Sequence, residues 1–97
     1  MSTYKKELIV IPLTTLDIYK YEKDGLTFYE YDATDCQPPE PMLNTIHILN
    51  TIKSKNERVV GRFFHEPSPL YTKISPLFSY KAEELDNGDY EITFFLK

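Results

Sequence analysis

The chain predicts an α+β two-layer sandwich, a mixed β-sheet with two helices on one face, and three observations carry that reading. From Leu26 onward, strand-like and helix-period stretches run in the order strand, helix, strand, helix, strand, strand. Two proline-led strings, Pro38-Pro39-Glu40-Pro41 and Glu66-Pro67-Ser68-Pro69, each stand after a strand-like stretch and before a helix-period one. Two Xaa-Gly pairs, Asp24-Gly25 and Asn87-Gly88, separate β-forming runs and signal hairpins. A hairpin cannot join two strands that have a helix between them, so the first crossover is expected to be parallel and right-handed.

Taken in order, Met1 to Glu7 is a short polar lead-in. Leu8-Ile9-Val10-Ile11 is a continuous β-branched run and predicts a buried strand, with Pro12 limiting its length or placing it at a sheet edge. Thr15 to Glu22 and Leu26 to Tyr31 form a hairpin about Asp24-Gly25, because glycine supplies positive φ at no steric cost. Met42 to Lys53 has a helical period, with Met42, Ile46 and Leu49 on one stripe, Leu43 and Ile52 on its flanks, and Asn44, His47 and Thr51 opposite. The prolines before it suit a first turn, where a missing N–H costs nothing, and Glu40 suits the positive end of the helix dipole.

Arg58 to Phe64 is the next strand. Ser68 is placed to cap the second helix and Pro69 to occupy its first position. Leu70, Ile74, Leu77 and Phe78 make an apolar stripe, and Pro76 ends the helix near Ser75. Ser79 to Leu85 and Asp89 to Leu96 close the chain as a hairpin, with Tyr90, Ile92, Phe94 and Leu96 on one face. A plain two-residue turn would set Lys81 and Glu83 opposite Phe94 and Ile92, so a bulge is expected. The expected core includes Met42, Ile46, Leu49, Val59, Leu70, Ile74, Ile92 and Phe94.

The totals set bounds on function. A chain of 97 residues is read as a single domain, 1–97, with residues 1–25 as an N-terminal strand extension and residues 26–97 as the core. It can bury about 60–65% of its unfolded surface, enough for one modest core. A net charge of −4 argues against nucleic acid, which needs a basic face. The single cysteine cannot form an internal disulfide, which fits a reducing cytoplasm. The run Leu8 to Ile11 is too short for a membrane span or a signal-peptide core, so no membrane partner is expected.

The stretch from Tyr31 through Asp32, Cys36 and Pro38 to Pro41 resembles the entry corner of the TusA/SirA/YedF sulfur-carrier family. That family reads leucine-aspartate-x-arginine-glycine, two residues, then cysteine-proline-x-proline. Asp32 matches the aspartate, and Pro39 and Pro41 match the prolines. Pro38 stands in the place of the persulfide-carrying cysteine, and Thr34 and Asp35 replace the arginine and glycine. The chain is more similar to a bacterial branch of that superfamily which lacks the cysteine and carries a downstream string like His65-Glu66-Pro67-Ser68-Pro69-Leu70-Tyr71. The resemblance covers residues 26–97 and implies a TusA-like β-α-β-α-β-β sheet sandwich. It does not imply sulfur transfer, because proline has no thiolate chemistry.

A parallel strand pair ends both strands at one edge of the sheet, so the two corners are expected to meet there. Pro38, Pro39, Glu40, Pro41, His65, Glu66, Ser68 and Tyr71 make the candidate binding rim, with Cys36 as a possible thiol. The competing structural reading is that His65 and Glu66 only cap the second corner. Cys36 lies behind Pro38 and beside Asp35, which disfavours a thiolate. Tyr19, Tyr21, Tyr29 and Tyr31 surround the first hairpin, as ordinary cross-strand packing, a stacking platform or a protein-binding face. The His65-Glu66 pair alone shows no nucleophile and no metal spacing, so neither catalysis, a metal nor a cofactor is expected. The expectation is a non-catalytic interaction or regulatory module with a protein partner, since the resembled carriers dock partners through this rim. The alternatives are a sulfur carrier or redox protein using Cys36, and a binder of a small anionic ligand at the helix N-termini. The sequence does not set the oligomeric state.

Overall fold

The computed structural model describes residues 5–97, so the first part of the polar lead-in, residues 1–4, lies outside the described residues. The elements are β1 (Glu7–Ile9), β2 (Ile18–Lys23), β3 (Leu26–Asp32), α1 (Glu40–Leu49), β4 (Glu57–Phe63), α2 (Ser68–Ile74), β5 (Phe78–Glu84) and β6 (Tyr90–Leu96). Among the described residues the strands make one six-stranded sheet in the order β1-β2-β3-β4-β6-β5. The β3–β4 pair is parallel, with Asp32 opposite Arg62, and every other neighbouring pair is antiparallel. This is the mixed sheet that the strand–helix alternation predicts.

Both turns follow their glycines. Asp24 and Gly25 have φ of 54° and 80°, the paired positive values of a two-residue hairpin turn. In the last hairpin the register is shifted by one residue from the plain two-residue turn, so Tyr80 faces Phe94 and Ala82 faces Ile92. The Gly88 N–H donates to the Leu85 carbonyl at 2.9 Å, and Gly88 has φ of 91°. That is a type I turn followed by a left-handed glycine, the bulge that keeps charged residues off the apolar face.

Both helices cover one face of the sheet. Ile48 and Leu49 of α1 and Leu70 and Ile74 of α2 pack with Tyr31, Val59, Phe63, Ile92 and Phe94 in a single buried cluster. Phe63 meets Tyr31 and Phe94 edge to face, with ring centroids 6.0 and 6.4 Å apart. Burying each large apolar side chain of this kind contributes about 1.5–3 kcal/mol. The N-terminal extension joins the same core through Ile11 and Ile18.

Four expectations are corrected. The run Leu8–Ile11 is not a buried strand: Leu8 is 59% and Val10 92% exposed, and only Ile11 is buried. It runs along the sheet edge, and the helices cover one face only, so alternate residues are left outside. The buried face of α1 is rotated from the apolar stripe, with Asn44, Thr45, Ile48 and Leu49 inward while Met42 and Ile46 are half-buried. Polar contacts set that rotation: Thr45 shares a hydrogen bond with the Tyr31 hydroxyl, and Asn44 Oδ1 accepts from the Thr15 N–H at 2.7 Å. Ser68 is the first residue of α2 and not its cap; Pro67 precedes it and no side chain caps the helix. Leu77 lies beyond the helix and is exposed, while Phe78 opens β5.

Candidate functional site

The site begins with the parallel pair. Because Asp32 and Arg62 are neighbours across β3 and β4, the two following segments leave the same edge side by side. The first corner is built from local hydrogen bonds. The Asp32 carboxylate accepts from the Thr34 N–H at 2.9 Å and from its hydroxyl at 2.6 Å, turning the chain as it leaves the strand. Burial works to raise the Asp32 pKa, but the Thr34 bonds and the nearby Arg62 charge outweigh it and hold the carboxyl below its ordinary value. The Ala33 N–H still reaches the Arg62 carbonyl at 2.8 Å, and Cys36 N–H folds back onto Ala33 at 3.2 Å.

Between the corners lies a groove of about 650 Å³. One wall is the segment Thr34–Pro39 with Pro41 and Met42; the other is Phe63–Pro67 with Pro69 and Leu70. Of the sequence-predicted rim, Pro38, Pro39, Pro41, His65 and Glu66 line it, as does Cys36. Glu40, Ser68 and Tyr71 are not in its walls. Glu40 turns instead to the N-terminal extension, where its carboxylate accepts from the Thr15 hydroxyl. Tyr71 stacks its ring on Tyr80 and donates its hydroxyl to Glu66 Oε2 at 3.0 Å. Burial, the Glu66 hydrogen bond and the Glu66 charge together push the Tyr71 phenol pKa up.

Several wall residues stand outside the sequence-predicted rim, Asp35, Phe64 and Met42 among them. Phe64 is 60% exposed, and its ring meets that of His65 with centroids 4.5 Å apart. Met42 contributes to the groove because α1 is rotated away from its apolar stripe. The period-two pattern of β4 could have identified Phe64: Phe63 faces the core, so the next residue must point elsewhere.

The groove is apolar at its centre and acidic at its rim. Asp35 and Glu66 belong to the walls, and among the described residues no lysine or arginine does. Cys36 registers the same field. Burial, then the charges of Glu40, Asp35 and Asp32, push its thiol pKa up. The helix starts offer few free donors. Glu40 N–H binds Gln37, Leu43 N–H binds Pro39, Ser68 N–H binds Glu66 and Leu70 N–H binds Pro67. Prolines 39, 41 and 69 have no N–H to give. This chemistry disfavours an anion and favours an apolar group with positive charge. Among the described residues no group of three or more His, Cys, Asp or Glu is placed to hold a metal.

The four tyrosines of the first hairpin divide between the two faces. Tyr31 is buried under the helices, and Tyr29 lies on the same side with its hydroxyl donated to Glu57 at 3.1 Å. Tyr19 and Tyr21 lie on the helix-free face, where Tyr21 stacks on Phe28 with centroids 5.0 Å apart. They do not form one platform. No helix of the described residues is long and apolar enough to cross a membrane. Comparison with family models, curated proteins and solved structures finds no match to this chain.

Proposed function

We propose that the chain is a non-catalytic, TusA-like docking module of the cytoplasm that holds a partner protein in the groove between its two proline corners. The observation that carries this reading is the groove itself: about 650 Å³, walled by both corners and apolar within an acidic rim. The partner segment that suits it pairs apolar side chains with a lysine or arginine, which would meet Asp35 and Glu66. Proline walls have fixed φ, so little ordering entropy is lost when a segment docks. The TusA-like assignment rests on the order of strands and helices and on the two proline strings. Against sulfur transfer stands the environment of Cys36, whose acidic neighbours oppose the thiolate that a carrier needs.

The test is affinity capture from the native host with wild type, Phe64→Arg and Tyr19→Ala, each confirmed as folded by circular dichroism. Phe64 is exposed, so arginine there leaves the core intact while blocking the groove and opposing its charge preference. Loss of a partner from Phe64→Arg alone supports the groove. Full retention by Phe64→Arg with loss from Tyr19→Ala would move the docking surface to the helix-free face.

A further inference from the structure

We infer that two copies of this chain associate through β5, extending the sheet across a two-fold axis at Ala82. This does not depend on the groove or on what occupies it.

Among the described residues β5 ends the sheet, with β6 on one side and no strand on the other. It is seven residues long, and Lys81 to Glu84 are all exposed. Its hydrogen-bonding phase is fixed at both ends. Leu85 N–H binds the Asp89 carbonyl at 2.7 Å, and Lys97 N–H binds the Leu77 carbonyl at 3.0 Å. Antiparallel bonding alternates, so residues 79, 81 and 83 turn their backbone groups toward β6. Phe78, Tyr80, Ala82 and Glu84 turn theirs outward, where a second strand would bond.

Charge then selects the register. Lys81 and Glu83 lie on the helix-free face, and neither takes part in the Lys6–Glu30 or the Arg62–Glu91 ion pair. Antiparallel self-pairing about Lys81 would set lysine against lysine, and about Glu83 acid against acid. Centred on Tyr80, the overlap shrinks to Phe78–Ala82. Centred on Ala82, the backbone groups of Ala82 bond reciprocally and those of Tyr80 bond to Glu84. Lys81 of each copy then faces Glu83 of the other in a non-hydrogen-bonded pair, where side chains are closest. Charges normally blunt an edge strand; here their alternation makes the edge complementary to itself. The pairing is isologous and closes at two copies.

Sedimentation of the full chain from micromolar to millimolar concentration tests this. Wild type is expected to move from monomer to dimer as concentration rises. Ala82→Pro removes only an outward N–H, which the fold does not use, and should leave a folded monomer. Lys81→Glu sets acid against acid twice and should weaken the dimer about tenfold or more. Adding Glu83→Lys to Lys81→Glu should restore it. A wild type that stays monomeric throughout overturns the inference. So does a dimer indifferent to Ala82→Pro, or a charge swap that fails to restore association.

Discussion

The ring of Tyr31 lies over Gly61 on the neighbouring strand: a β-carbon at Gly61 would fall 2.5 Å from Tyr31 Cζ and 2.9 Å from Phe63 Cε1. The Tyr31 ring cannot swing clear, because it is buried and its hydroxyl is tied to Thr45 of α1. Gly61 thus lets the sheet and the first helix approach at the end of the strand pair that carries the groove. Gly61→Ala is expected to destabilise by about 1–3 kcal/mol through overpacking, read as a lower urea midpoint at unchanged slope. Replacing Tyr31 by leucine in the same chain should recover part of that loss, since the obstruction is the ring.

Gly88 makes the contrasting case. Nothing lies within 4 Å of a β-carbon added there, but its φ is 91°, where L side chains are strained. Gly88→Ala is expected to cost about 1 kcal/mol through the backbone alone, and Gly88→Asn less, because asparagine tolerates the left-handed region. Thermal melts of the two variants beside Gly61→Ala would separate a steric glycine from a conformational one.

These glycines also mark what the sequence could and could not disclose. Gly25 and Gly88 announce themselves locally, each following a turn residue between β-forming runs. Gly61 sits inside an ordinary strand run, and its reason is a ring thirty residues earlier in the chain. The proline corners were legible, and a parallel strand pair was enough to bring them together. The exposure of Leu8 and Val10 was not, because an apolar run cannot say whether both faces of its sheet are covered. Nor was the inward turn of Asn44 and Thr45, since a hydrophobic period assigns polar residues outward. Their partners, Thr15 and Tyr31, come from other elements. The same rotation sent Met42 into the groove wall, and the Thr15 contact drew Glu40 out of it.

Cys36 gives a prediction in pH. Its thiol pKa is raised by burial and by Glu40, Asp35 and Asp32, in that order. The protonated form is therefore favoured in the folded state. Its contribution to stability is present below the ordinary thiol pKa and lost as pH rises through the folded value. The rate of alkylation by iodoacetamide should have its midpoint above that of free cysteine. Glu40→Gln and Asp35→Asn should each lower that midpoint, the first by more. Incubation with a cysteine desulfurase and cysteine should add no stoichiometric sulfur to the intact mass. A persulfide that forms on wild type and is lost in Cys36→Ser would reverse the docking-module reading in favour of a carrier.

The N-terminal extension is fastened to the first helix at one buried side chain. Asn44 accepts from the Thr15 N–H at 2.7 Å and donates to the Thr15 hydroxyl and the Glu40 carbonyl, both at 3.0 Å. Only 2% of it is exposed, so water cannot readily replace these bonds. Each contributes about 1 kcal/mol, and an orphaned donor costs more. Asn44→Ala is expected to destabilise the whole chain by about 2–3 kcal/mol, and Asn44→Leu by at least as much despite its greater apolar area. If the clasp acts as described, hydrogen exchange at the Thr15 amide should rise far more than at Val59, deep in the sheet. Thr15→Ala should cost less than Asn44→Ala, because the Thr15 N–H would keep its acceptor. Equal losses from both variants would show instead that the clasp works through the Thr15 hydroxyl and its bond to Glu40.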